Sequence, residues 1–264
     1  VIKNKILKKF NINESEICNQ LDPKSHEIVF LSGSQFDGLG NERSDLDIYL
    51  VTNDFHPLLQ NEKTIDQNII IGNKRFDLSI FSISLILETA QYLNALDFSN
   101  PNVYVPRQIH PQVSNYEICT MIHRLKVGSP IYNHEKYNQI LEDFPFASYI
   151  KWQIRIKLNE YDGLYEDLIG SLESDDYLTA EELIQQKLRL ISQILILSAG
   201  ETFDRDKWVP RKISQLQERE FFSEDFFREF QEIKKSLVYG KRDEIMRAIK
   251  FCEQKIEAIQ LQNI

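Results

Sequence analysis

Apolar and polar positions alternate with a period of two in short stretches before residue 82, and recur at helical spacing almost everywhere after it. Neighbouring strand side chains point to opposite faces, so a period of two marks a sheet with one buried face. Recurrence at three and four marks an amphipathic helix. Ile2, Ile6, Leu7 and Phe10 predict a helix over 2–10, with Lys3, Lys5, Lys8 and Lys9 around it, packed on a sheet. A second helix is expected over Glu14–Leu21, followed by a turn at Asp22-Pro23-Lys24-Ser25. Residues 27–32 read as the first strand, delivering the chain to Gly33-Ser34. In the next strand Leu46, Ile48 and Leu50 share one face and Asp45 and Asp47 the other. Residues 67–81 read as a hairpin turning at Gly72-Asn73, with Phe76, Leu78 and Ile80 opposed to Arg75, Asp77 and Ser79.

The second part of the chain reads as helix. Ser82 or Ser84 caps a helix through Leu96, and Ser114 caps one ending at Gly128. Between them Pro101, Pro106 and Pro111 predict an irregular crossing, with Tyr104 and Arg107 near a cleft. Further helices are expected over Tyr132–Asp143 and Phe146–Leu172. A capping box at Thr179-Ala180-Glu181-Glu182 is expected to open a helix closed by Gly200. Two more run from Ser223 to near Gly240 and from Asp243 to Gln260. The fold class this implies is α+β, a small sheet with flanking helices followed by an all-helical domain.

Composition narrows the partners. With 264 residues, 42% hydrophobic and 27% charged, the chain suits a folded protein with a sizeable core. A net charge of −9 argues against a duplex nucleic acid as the main partner, which calls for a basic face. Cys18, Cys119 and Cys252 are far apart and lack metal-finger spacing, so free thiols in a reducing cytoplasm are expected. No apolar run is long enough to span a membrane and no signal peptide is visible. The five histidines show no ligand spacing.

The candidate chemistry lies in carboxylates. Asp45 and Asp47 project from one strand face, and Asp77 joins them if the hairpin lies alongside. Carboxylates gathered on one patch repel unless a cation sits among them, and Mg²⁺ is the hard, oxygen-preferring choice. Three of them can hold two ions about 3.5–4 Å apart, an arrangement suited to in-line displacement at phosphorus.

A strand ending in Gly33-Ser34, a connection to Asp45-Leu46-Asp47 and a later strand bearing Asp77 resemble the DNA polymerase-β-like nucleotidyltransferase superfamily, over about residues 25–81. The order of domains resembles the two-domain aminoglycoside nucleotidyltransferases. The resemblance implies a polymerase-β-like catalytic domain over 1–125 and a helical substrate-binding domain over 126–264. It implies two Mg²⁺ ions held by Asp45, Asp47 and Asp77, Gly33 and Ser34 against the triphosphate of an NTP, and transfer of an NMP to a hydroxyl. The run Gln185–Ile191 and Lys207-Trp208 resemble basic elements of such helical domains, which makes Lys187 and Lys207 candidate nucleotide contacts. Glu160, Asp162 and Glu166 are candidate general bases, and Trp152, Tyr161 and Tyr165 candidate lining of an acceptor pocket. A small-molecule, antibiotic-like acceptor is the first expectation. A nucleotide-adding or nucleotide-binding antitoxin acting on a protein is the alternative, and a homodimer is compatible with either.

Overall fold

The structure, a computed structural model, describes residues 2–54, 62–100, 105–237 and 241–263, with the side chains of residue 2 and of 258–263 outside the description. It is α+β: a five-stranded mixed sheet with flanking helices, and a helical C-terminal region. The strands are β1 (Ile28–Ser32), β2 (Asp47–Thr52), β3 (Thr64–Ile71), β4 (Lys74–Ser82) and β5 (Ser129–Tyr132), in the spatial order β3-β4-β2-β1-β5. β2 and β4 run parallel, and the other neighbouring pairs are antiparallel. The β3–β4 hairpin turns at Gly72-Asn73, both at positive φ (+55° and +64°), the conformation a two-residue hairpin of this twist demands.

Alternation decides what each face meets. Leu31, Ile48, Phe76 and Leu78 turn to one side and bury against Ile6, Leu7, Ile12 and Ile17 of α1 (Ile2–Phe10) and α2 (Glu14–Leu21) and the link between them. Asn13 starts α2 with a capping box to Glu16. On the other side Phe30, Tyr49 and Phe81 form a ring ladder with centroids 4.8 and 5.4 Å apart, and Tyr137 joins at 5.3 Å. This face is covered by α3 (Ile83–Asn94, capped by Ser82), α4 (Asn115–Val127, with a Ser114–Glu117 capping box) and α5 (His134–Asp143). Lys3 and Lys9 of α1 bond to the carbonyls of Pro130 and Asn41, so this basic helix is tied to its own unit.

The chain separates into two compact units, Val1–Ala95 with Gln108–Pro145, and Leu96–Arg107 with Phe146–Ile264. The expected division after residue 125 is therefore corrected: β5 hydrogen-bonds to the edge of β1 and carries residues 126–145 with the sheet, while 96–107 belongs to the helical unit. Within the crossing, Pro101 and Tyr104 lie outside the described residues. So does Gly240.

The helical unit holds α6 (Phe146–Gly163), α7 (Tyr165–Glu173), α8 (Tyr177–Ser198), α9 (Val209–Glu218), α10 (Glu224–Ser236) and α11 (Arg242–Asn263). The single helix expected over Phe146–Leu172 breaks after Gly163, a residue that lowers helix stability. α8 starts at Tyr177 under an Asp176 cap, so the Thr179 capping box does not form; the Thr179 amide donates to Asp176 instead. α9, not among the expected helices, carries Pro210 in its first turn, where proline lacks only an amide that has no helical partner. Ala180, Ile184, Leu188 and Ile191 of α8 and Ile245, Ala248, Ile249 and Cys252 of α11 form the core of this unit. Cys252 is buried, while Cys18 and Cys119 are half-buried, all as free thiols. Among the described residues no helix is long and apolar enough to cross a membrane.

Candidate carboxylate site on the sheet

β1 and β2 pair so that Ser32 lies opposite Asp47, which brings the end of β1 over the start of β2. The chain then turns at Gly33, whose φ of +97° is a conformation that favours glycine. A Cβ at this position would collide with the Asp47 carboxylate and with the Arg124 guanidinium. Glycine is thus what lets backbone lie directly on the carboxylate. The turn closes inward: the Gly33 carbonyl accepts from Phe36 and Asp37, and the Ser34 carbonyl from Leu39 and Gly40. The connection onward is held by Gln35, which donates to Asn41 at 2.7 Å, and by Asn41 and Ser44, which bond to each other.

The parallel register of β2 and β4 makes Asp47 and Asp77 direct partners, with side chains on the same face. Asp77 is exposed. Asp45 is exposed as well, in the extended link two residues ahead of Asp47 and just outside the strand. Gly33, Ser34, Asp45, Asp47 and Asp77 therefore share one region of the sheet unit. Around them Arg75 donates to Asn68 at 2.6 Å, and Ser79 to Asp66.

Arg124 was not singled out from the sequence. It is buried on α4, and its Nη1 donates to Asp47 Oδ2 at 3.0 Å. Its neighbour His123 lies 3.4 Å from Asp37, in the loop after the Gly33 turn. One helix thus fixes both the carboxylate and the loop above it. Nothing local marks this role, because the partners are 77 residues apart in sequence.

The two lysines are placed differently. Lys187 is fully buried inside the helical unit; its ammonium donates to the Tyr161 carbonyl at 2.9 Å and lies 3.5 Å from the Tyr161 ring centre. Burial pulls its pKa below the usual lysine value. That environment is a core position, and it removes the physical basis for assigning Lys187 to a nucleotide. Lys207 is exposed, over the Trp208 ring. Among the suggested bases, Asp162 and Glu166 share a cavity of about 440 Å³ with Tyr161 and Tyr165. Burial pushes the Tyr161 hydroxyl well above the ordinary phenol range. Trp152 is buried, its indole donating to the Pro106 carbonyl at 2.8 Å, which identifies it as core.

The carboxylates fit a hard cation in donor type, since all three offer oxygen and two are adjacent in register. They are not drawn tightly together. Among the described residues, the group with ligand atoms within 4.8 Å of one another is His26, Glu27 and Asp54, elsewhere on the sheet. There Lys24 already reaches Asp54 at 2.8 Å, and Glu27 accepts from Thr52 and the Lys24 amide, so both carboxylates already have partners. No protein-family model matches this chain, and no curated protein is significantly similar to it.

Proposed function

We propose that the chain is a Mg²⁺-dependent nucleotidyltransferase, moving an NMP from an NTP to a hydroxyl of a small-molecule acceptor with release of pyrophosphate. The observation that carries this reading is the pairing of Asp47 with Asp77 on adjacent parallel strands, beneath a Gly33 turn that only glycine fits. Asp47 and Asp77 would hold the metal, with Asp45 at the edge of the same face. Bound magnesium supplies charge neutralisation for the triphosphate and acidifies the acceptor hydroxyl. Asp77, exposed and adjacent, is the residue to accept the hydroxyl proton. Gly33 and Ser34 would orient the phosphate tail through close backbone approach. Arg124 holds Asp47 in one orientation, so it acts as a positioning residue.

The test is incubation with each α-labelled NTP, Mg²⁺ and a cell extract, then identification of the labelled product. Wild-type protein is expected to label a small molecule, and Asp47→Asn and Asp77→Asn each to abolish labelling while keeping the circular dichroism of the wild type. Labelling that survives both substitutions rules the site out. Label recovered on a protein instead of a metabolite favours the antitoxin-like reading of the same site.

A further inference from the structure

A second feature lies wholly within the helical unit. Gln185, Leu188, Arg189 and Ser192 recur at helical spacing on one stripe of α8. This stripe faces the 206–208 turn, the start of α9 and the end of α10 across a pocket of about 560 Å³. Its floor is apolar: Leu188, Val209, Phe230 and Leu237 are each almost fully buried. Its rim is basic, with Arg189, Lys207 and Lys234 against one carboxylate, Asp206.

That carboxylate is already engaged. One oxygen accepts from Gln193 at 2.8 Å and the other lies 3.9 Å from Arg189. Among the described residues neither Lys207 nor Lys234 has a carboxylate partner; each ammonium lies over a ring, of Trp208 and Phe230. On a chain of net charge −9, three exposed cations and one carboxylate on the rim of one pocket make it locally basic, a setting that attracts an anion. The Ser192 hydroxyl donates to the Leu188 carbonyl at 2.7 Å. The volume suits a ligand of small-molecule size.

We infer that this pocket binds an amphiphilic organic anion, its apolar body on Leu188, Val209, Phe230 and Leu237 and its phosphate or carboxylate head between Lys207, Lys234 and Arg189. The probe is 8-anilinonaphthalene-1-sulfonate, whose emission can be excited by energy transfer from Trp208 beside the rim. Saturable binding is expected, displaced by octyl phosphate and by octanoate but not by octanol or inorganic phosphate; the order of the first two ranks the head groups. Lys207→Gln combined with Lys234→Gln is expected to weaken the probe about tenfold, two charge-assisted contacts being removed, with the circular dichroism of the wild type retained. Unchanged affinity in that variant, or displacement by octanol as readily as by octanoate, overturns the inference. So does displacement by Mg-ATP at lower concentration than octyl phosphate, which would make this a triphosphate site. Asp47→Asn is expected to leave probe binding intact, so failure of the transfer reading and failure of this one are told apart.

Discussion

Replacing Gly33 by alanine tests the geometry on which the site depends. At φ +97° an alanine is strained by about 1–2 kcal/mol, the ordinary penalty of left-handed backbone. Its Cβ also needs the space held by the Asp47 carboxylate and the Arg124 guanidinium. Moving them opens an ion pair of 3.0 Å whose arginine is buried and whose aspartate is about one-quarter exposed (24%). Overpacking of this kind costs about 1–3 kcal/mol. The sum is a destabilisation of about 2–5 kcal/mol. The two parts separate in a double-mutant cycle with Asp47→Ala. There the carboxylate collision is gone and the remaining neighbour, the flexible end of Arg124, can shift aside, so Gly33→Ala should cost only about 1–2 kcal/mol and the coupling between positions 33 and 47 is about 1–3 kcal/mol. Tryptophan emission cannot read this, because Trp152 and Trp208 both lie in the helical unit. Native-state hydrogen exchange of the β1 and β2 amides, followed by mass spectrometry, reports the sheet directly. An equal cost of Gly33→Ala in both backgrounds would refute the idea that glycine is required there by the carboxylate.

Two further outcomes follow from buried groups. Burial pushes the Cys252 thiol up to about 12 from an ordinary 9.0, so between these values the folded state keeps a proton that the unfolded state has lost. Stability from this group is complete below pH 9 and declines by about 1.4 kcal/mol per pH unit above it; Cys252→Ala should flatten the alkaline slope of urea midpoints, and identical slopes would contradict it. A Cβ at Gly128 would meet the Phe30 ring, the Tyr137 hydroxyl and the Arg124 carbonyl, so Gly128→Ala should lower sheet-unit stability by about 1–3 kcal/mol in the same exchange experiment.

The sequence by itself determined much of the local architecture. Helix starts at Asn115 and Glu224 are written in the serines before them, and the β3–β4 turn in Gly72-Asn73, because caps and tight turns depend on residues adjacent in the chain. The face shared by Asp47 and Asp77 was legible for the same reason: a period of two assigns sides without knowledge of the partner strand. Tertiary structure decided the rest. That β2 and β4 are neighbours and parallel, that β5 completes the sheet edge, and that Arg124 closes on Asp47 all join residues far apart in the chain. Lys187 is the clearest case. A lysine on an amphipathic helix reads as solvent-facing, yet α11 and the tyrosines of α6 and α7 enclose it, and desolvation then offsets the charge that made it a candidate. Whether a charged side chain meets water or a protein interior is a property of what packs against it, and no local pattern encodes that.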